Sequence, residues 1–190
     1  TMDTSSNAMV DTMDTSSNAM GTPSSAVGTN PIRILSFDIG IKNLAYCMFT
    51  HDTNTTEKVQ FEINGWDIIN IETADKAEQA DILFEKLHAL FGDAALDYVI
   101  VENQPALKNP VMKTIQILVF AYFKHRKVIN GKHIMDVRMI NASNKIRCAC
   151  KLLDDVTFEF KTPESNRYKR NKEAAIAYTY EMLRRYGTEE

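Results

Sequence analysis

The strongest constraint on the fold is the order of the periodic segments, which begins at Pro31. Three strand-like runs follow one another with only short turns between them: IRILSFDI, LAYCMFT and KVQFEINGWDII. Consecutive strands joined by short polar turns are typical of an antiparallel meander. Helical and strand-like patterns then alternate toward the end of the chain. We therefore expect an α/β protein with the element order β-β-β-α-β-α-β-α-α.

The later segments carry individual helix and strand signals. Residues 74 to 92 have apolar side chains at helical spacing and end on Gly92, a common helix terminator. DYVIVEN, at 97 to 103, is nearly continuous in apolar residues, as in a buried parallel strand. Asn109 and Pro110 suit the start of a helix over 110 to 129. We expect a fifth strand over 132 to 141 and two further helices, around 144 to 153 and over 166 to 187.

Length and composition indicate one ordinary domain, since the chain has 190 residues and 44% apolar content. Three cysteines without framework spacing, and no signal-like N-terminus, predict a reducing intracellular compartment. No apolar run approaches the roughly 20 residues of a membrane span. Residues 1 to 30 contain TMDTSSNAM twice and are predicted to be disordered, although the exact duplication is also compatible with an artificial origin. The folded domain is expected over 31 to 190.

Charge is divided unevenly along the chain. Residues 1 to 103 contain 5 Lys and Arg against 16 Asp and Glu, whereas residues 104 to 190 contain 17 against 9. The halves therefore carry net charges of -11 and +8. A basic half on an acidic protein favours a polyanionic partner such as nucleic acid, although solvated helix faces can also carry such charge.

Two carboxylates end strand-like runs. Asp38 follows ILSF, and Glu102 follows YVIV. Carboxylates on rigid strands are the oxygen ligands that Mg²⁺ or Mn²⁺ prefers, and a pair of ions can catalyse phosphodiester displacement. The plainer interpretation is that Asp38 caps a turn at Gly40 and that Glu102 pairs with a nearby lysine. The matching positions, beside a basic half, favour a metal site.

These residues carry a family resemblance. The segments SFDIGIKNLAYC, YVIVENQP, NPVMK and YKRNKEAA resemble the Holliday junction resolvases of mitochondria and of poxviruses and other large DNA viruses. Those enzymes form part of the RuvC-like branch of the RNase H-like fold. The resemblance covers about residues 31 to 187. It implies a five-stranded mixed sheet flanked by helices, with the first three strands antiparallel and the first and fourth side by side.

The resemblance also implies an activity and a metal site. The expected activity is Mg²⁺-dependent cleavage of four-way DNA junctions, with Asp38 and Glu102 as catalytic residues holding two ions per site and with Mn²⁺ able to substitute. In that family, a D-D-x-x-D arrangement on a last helix completes the site. This sequence reaches Glu190 without such a helix, and Asp154 and Asp155 match the arrangement poorly because position 158 is Phe. Weak metal binding, and poor cleavage or none at all, are therefore expected of this chain.

Contacts to DNA phosphates are predicted for basic and polar residues in the turn after Asp38, beyond Glu102 and in the last two helices. They are Lys42, Asn43, Gln104, Lys108, Lys113, Lys145, Arg147, Lys169, Arg170 and Lys172. The resemblance further implies a homodimer, because a four-way junction offers two equivalent strands. We expect its interface on the 110 to 129 helix, on the face that carries Met112, Ile115, Val119, Phe120 and Phe123.

Two other functions stay open at this point. A catalytically silent RNase H-like module that binds branched DNA or a protein would have the same pattern. An actin-like or sugar-kinase ATPase domain also uses D-x-G-x-x-N, but only seven glycines occur, without the clustered glycines of an adenosine loop. A viral protein acting inside the host cell is favoured over a mitochondrial one, because residues 1 to 30 contain no Lys or Arg.

Overall fold

Strands and helices occur in the predicted order within the residues that the computed structural model describes, which are 30–53, 60–105, 107, 109–129 and 134–187. Predictions for residues 1–29 and for Lys108 lie outside these ranges. The elements are β1 (Ile32–Asp38), β2 (Asn43–Asp52), β3 (Gln60–Asn70), α1 (Lys76–Phe91), β4 (Tyr98–Asn103), α2 (Pro110–Ile129), β5 (Asp136–Asn141), α3 (Ser143–Leu152) and α4 (Arg167–Tyr186).

The five strands form one mixed sheet in the order β3-β2-β1-β4-β5. The β1/β2 and β2/β3 pairs are antiparallel, whereas the β1/β4 and β4/β5 pairs are parallel. This arrangement confirms the predicted RNase H-like sheet with an antiparallel start. It also brings the carboxyl ends of β1 and β4 to the same edge of the sheet.

One face of the sheet is covered by α1 and α2, which form the main core. Leu35 and Phe37 of β1 point into this core together with Val99 and Val101 of β4, and all four are at most 1% exposed. The ring of Phe37 lies 5.5 Å from that of Phe123 in α2. Because side chains alternate along a strand, the residues between these point to the opposite face. Asp38 and Glu102 belong to that second face.

The start of α2 agrees with its sequence signals. The backbone N–H of Met112 donates to Asn109 Oδ1 at 3.2 Å, so that Asn109 caps the helix ahead of Pro110. Among the described residues, no helix combines the length and the hydropathy needed to cross a bilayer.

The face of α2 predicted for a dimer interface is instead mostly core of the same chain. Ile115, Val119 and Phe123 are at most 2% exposed and belong to the main cluster. The prediction was wrong for these residues because a helix with apolar residues nearly all round can bury only one side against its own sheet. The side left outside carries Ile117, which is 45% exposed, and Val128, which is 80% exposed.

The second face of the sheet is covered only loosely. Helix α4 packs against α3, with the Cys150 thiol donating to the Tyr178 hydroxyl at 3.0 Å. An apolar groove of about 830 Å³ separates α4 from β1, β2 and β3, with Tyr46, Trp66 and Tyr180 among its lining residues. The groove reaches Asp38 at the edge of the sheet.

Candidate active site

Asp38 and Glu102 come together because β1 and β4 are parallel neighbours in register. Phe37 pairs with Val101, so the next residues on the two strands, Asp38 and Glu102, lie side by side on the second face. Their carboxyl groups are close enough for each to shift the pKa of the other. The predicted juxtaposition is therefore present in the structure.

A lysine completes this cluster. Lys145 Nζ lies 2.8 Å from Glu102 Oε2 and 3.5 Å from Asp38 Oδ2. The Glu102 side chain is only 12% exposed, whereas those of Lys145 and Asp38 are 50% and 62% exposed. Lys145 was predicted only as a phosphate contact, and the structure places it directly on the two carboxylates.

The two carboxyl groups have opposite pKa shifts. Burial raises the pKa of Glu102 to about 7, with further increases from the hydrogen bond to Asp38 and from its negative charge. Burial also acts to raise the pKa of Asp38, but the hydrogen bond from Glu102 and the positive charges of Lys145 and Lys172 outweigh it, so that pKa is lowered. Near neutral pH, the Asp38 carboxyl group is therefore ionised, whereas the Glu102 carboxyl group is present in both its protonated and its ionised form.

The donor set fits a hard divalent cation. Two adjacent carboxylates concentrate negative charge at one point of the sheet edge, and Mg²⁺ is often held by only one or two carboxylates, with water and phosphate filling the remaining positions. In the described part of the chain, no group of three or more His, Cys, Asp or Glu side chains could hold a metal. Asp155 accepts from Arg185 Nη1 at 2.8 Å, and neither it nor Asp154 adds a third ligand.

The turn after Asp38 is anchored by backbone contacts. A Cβ added at Gly40 would lie 2.2 Å from the carbonyl oxygen of Asn43, so the chain closes on itself at a point where only glycine fits. The Gln79 side chain donates to the carbonyl oxygens of Ile41 and Ile71, each at 2.9 Å. Gln79 was not predicted from the sequence, because nothing in its helical pattern marks a contact with a distant turn.

Two of the predicted phosphate contacts, Lys42 and Asn43, lie next to this turn. The Lys42 ammonium forms an ion pair with Glu72, and both side chains are largely exposed. Asn43 is exposed at the first position of β2. Lys42 would have to exchange Glu72 for a phosphate in order to bind DNA.

Beyond Glu102, the predicted contacts form a polar network around Gln116. This side chain is fully buried in α2, and its Oε1 accepts from the Gln104 backbone N–H at 2.8 Å and from Lys113 Nζ at 3.1 Å. Lys113 also donates to Asn103 Oδ1 at 2.9 Å. These contacts hold the loop after β4, so Lys113 has a structural role that its charge did not reveal. The lone polar Gln116 within the apolar run of α2 was the available signal.

The remaining basic residues lie on α3 and α4. Arg147 donates to Asn144 Oδ1 at 2.8 Å on the exposed side of α3, and Lys169 is exposed in the first turn of α4. Arg170 donates to the Thr162 carbonyl oxygen at 3.2 Å. Lys172 lies over the Tyr168 ring, 4.9 Å from its centroid, and is close enough for its charge to act on Asp38. The basic turn of α4 therefore approaches the carboxylate pair.

Sequence comparison identifies the family. Residues 34–180 match the model of the Ydc2 catalytic family, described as mitochondrial resolvase Ydc2 and RNA splicing MRS1. An uncharacterized protein, L451 of Acanthamoeba polyphaga mimivirus, is 34% identical over 105 residues. The aligned region is 52% of this chain and spans about a quarter, 24%, of that relative's length.

Several solved structures are similar to this chain. The yeast mitochondrial Holliday junction resolvase Ydc2 matches with a TM-score of 0.47 and 18% identity, covering 77% of this chain and 64% of that one. Thermus thermophilus RuvC in complex with a Holliday junction substrate gives 0.48 and 11%, covering 80% and 95%. The Fowlpox virus resolvase complex with Holliday junction DNA gives 0.39 and 20%, covering 83% and 88%. The family match extends over the five-stranded sheet and both carboxylates, and the chain belongs to the family of the mitochondrial resolvase Ydc2 and the RNA splicing protein MRS1.

Proposed function

We propose that this protein is a metal-dependent, structure-selective DNA endonuclease that resolves four-way junctions by paired phosphodiester hydrolysis. The observation that carries the proposal is the pair formed by Asp38 and Glu102 on adjacent parallel strands. The proposal is supported by membership of a family whose description names a resolvase. The same membership gives no support to the ATPase alternative. The similarity to a mimivirus protein supports a viral origin and action inside a host cell.

Asp38 and Glu102 would hold the divalent cation, with Mg²⁺ as the expected ion and Mn²⁺ as a substitute. A bound ion of this kind withdraws charge from the scissile phosphate and favours attack by water. The described residues provide ligands for one ion, and a second ion would need further carboxylates. Hydrolysis would leave 5′-phosphate and 3′-hydroxyl ends, which a ligase can join.

Positive side chains around the pair would bind the DNA backbone. Lys172 and Lys169 on α4 and Arg147 on α3 are the best placed, since none of them takes part in the buried polar network. Phosphate contacts of this kind give affinity that falls steeply with salt and carries no sequence preference. Selectivity for a junction would then come from its shape.

A homodimer would place two such sites on the two equivalent strands of a junction. The exposed side of α2, with Ile117 and Val128, is the surface of that helix that remains for a partner copy. An interface there would differ from the predicted one in its residues, while using the same helix.

The direct test is cleavage of an end-labelled four-way junction by the wild-type chain with Mg²⁺ and, separately, with EDTA. We expect slow Mg²⁺-dependent paired cuts, because the described residues supply only two carboxylate ligands. Asp38→Asn should reduce the cutting rate at least about a hundredfold, because losing a metal ligand removes several kcal/mol of transition-state stabilisation. Asp81→Asn, an exposed carboxylate on α1, is the matched control and should cut normally. Asp38→Asn should still shift the junction in a native gel. Full cleavage by Asp38→Asn would rule out the proposed role of this residue.

A second candidate is a nucleic-acid-binding module without nuclease activity. It is favoured by the lack of a third metal ligand among the described residues, and by a family description that pairs a resolvase with an RNA splicing protein. The same assay separates the two functions. Tight binding of DNA or RNA junctions without cuts at any Mg²⁺ or Mn²⁺ concentration would identify this second function.

A further inference from the structure

Lys145 occupies a position that the proposed nuclease chemistry does not require it to take. Its Nζ lies 2.8 Å from Glu102 Oε2 and 3.5 Å from Asp38 Oδ2, so that one ammonium bridges both proposed metal ligands. A lysine meant only for phosphate would be expected to point outward from the helix. This one points at the carboxylate pair.

The fold determines this placement. Helix α3 begins two residues after β5, and β5 runs parallel beside β4 with Asn141 opposite Asn103. The Asn103 amide donates to Asn141 Oδ1 at 3.1 Å, which ties together the ends of the two strands. Lys145 is in the first turn of α3, and its backbone N–H donates to the Ala142 carbonyl oxygen at 3.2 Å. Its starting point is therefore held close to Glu102.

The bridging ammonium stabilises the two carboxylates electrostatically. Glu102 is mostly buried and lies next to a second carboxyl group, and a buried charge is stable only with a partner. The Lys145 ammonium is the cation that contacts both groups. A divalent cation needs lone pairs on these same two carboxylates. The ammonium and the metal ion therefore exclude one another at Glu102 Oε2.

We propose that Lys145 is a built-in counter-ion that competes with the divalent cation for Asp38 and Glu102 and so weakens metal binding by the DNA-free protein. This inference rests on the proposed metal site. The side chain is half exposed and has a flexible four-carbon stem, so it can leave the carboxylates without a change in the backbone. Lys145 thus sets the metal concentration at which the site fills.

The chain contains a matched control for the competition. Lys172 also acts on Asp38 through its charge, but it lies against the Tyr168 ring and is neither hydrogen-bonded nor ion-paired to Asp38 or Glu102. Removing either lysine changes the net charge by the same amount. Only removal of Lys145 frees the oxygens of the two carboxylates.

The experiment is titration of the DNA-free protein with Mn²⁺, in which binding is monitored by calorimetry and, in parallel, by the electron paramagnetic resonance signal of free Mn²⁺. Lys145→Met should bind Mn²⁺ roughly ten- to a hundredfold more tightly than wild type, the range expected for losing a competing charged hydrogen bond. Lys145→Gln should also bind more tightly, and because it keeps a hydrogen-bond donor for Glu102 it carries the test if the Met variant does not fold. Lys172→Met should change the Kd less than about threefold, as expected for an exposed charge.

The outcomes separate the two proposals. An unchanged or weaker Kd in both Lys145 variants would overturn the competition while leaving the metal site in place, provided that Asp38→Asn abolishes binding. An equal gain in Lys172→Met would show a general charge effect and would also overturn it. If wild type and the Lys145 variants all fail to bind Mn²⁺, or if binding survives Asp38→Asn, the metal site is wrong and the competition is wrong with it.

Discussion

The raised pKa of Glu102 makes a prediction about stability that requires neither metal nor DNA. We consider Glu102→Gln in EDTA, since glutamine has nearly the shape of the protonated acid but cannot ionise. Burial and the neighbouring Asp38 raise the pKa of Glu102 from 4.5 to about 7 in the folded protein. In the unfolded chain the group keeps its ordinary pKa.

The sign follows from proton binding. Below pH 4.5, Glu102 is protonated in both states and has no pH-dependent effect. Between about pH 4.5 and 7 the unfolded chain releases the proton while the folded protein retains it, so the wild type loses stability as pH rises, and above about pH 7 the loss is complete. A shift of this size corresponds to about 3 kcal/mol at 1.36 kcal/mol per pH unit, an upper bound because Glu102 titrates together with Asp38. Asp38 is ionised in both states above pH 5 and does not contribute there.

The assay is thermal unfolding of wild type and Glu102→Gln from pH 5 to 8. The Tm of the variant relative to wild type should rise by about 5 to 10 °C across this range, since 1 kcal/mol moves the Tm of a domain of this size by about 2 to 4 °C. Only the change with pH is the signal, because the substitution can add a constant offset. Glu181→Gln is the control: hydrogen bonds from Arg184 and Arg185 lower the pKa of Glu181 to about 2, so its difference from wild type should stay flat above pH 5. A flat difference for Glu102→Gln would show that the folded protein does not raise the pKa of Glu102.

Two further predictions concern packing and the turn. Phe123→Ala should lower the free energy of unfolding by about 3 to 5 kcal/mol in urea titrations, because the ring is fully buried against Phe37, and Phe123→Leu should cost clearly less. An equal cost for both variants would contradict this account of the core. Gly40→Ala should lower both the Tm and the affinity for Mn²⁺, because its Cβ would lie 2.2 Å from the Asn43 carbonyl oxygen and displace the turn after Asp38. Gly65→Ala, whose Cβ would have no neighbour closer than 3.6 Å, is the control, and equal behaviour of the two variants would show that the turn tolerates a side chain.

Much of the site could be predicted because its two carboxylates end strands with clear patterns. The alternation of Leu35 and Phe37 around Ser36 identifies the face of β1 on which Asp38 lies, and this depends on neighbours in sequence alone. The continuous apolar run before Glu102 similarly indicates a central parallel strand. Local periodicity was therefore enough to predict the strand-end positions of these two residues, whereas the pairing of their strands was implied by the family resemblance.

The roles of the lysines could not be predicted in the same way. Lys113 and Lys145 look alike in sequence, as single charges near helix starts, yet one joins a buried network around Gln116 and the other bridges the carboxylates. A long flexible side chain can reach partners in many directions, so its role depends on which backbone segments lie near it. The sequence also did not reveal which side of α2 is buried and which is exposed, because apolar residues occur nearly all round the helix.

The order of the elements, the strand-end positions of Asp38 and Glu102 and the family of the chain follow from the amino-acid sequence alone, because they depend on local periodicity and on motifs of adjacent residues. The position of Lys145 between the two carboxylates, and the rise in the pKa of Glu102 to about 7, became apparent only in the folded structure. Both features arise from contacts between residues more than forty positions apart in the chain. They exist only once β1, β4 and α3 are packed together.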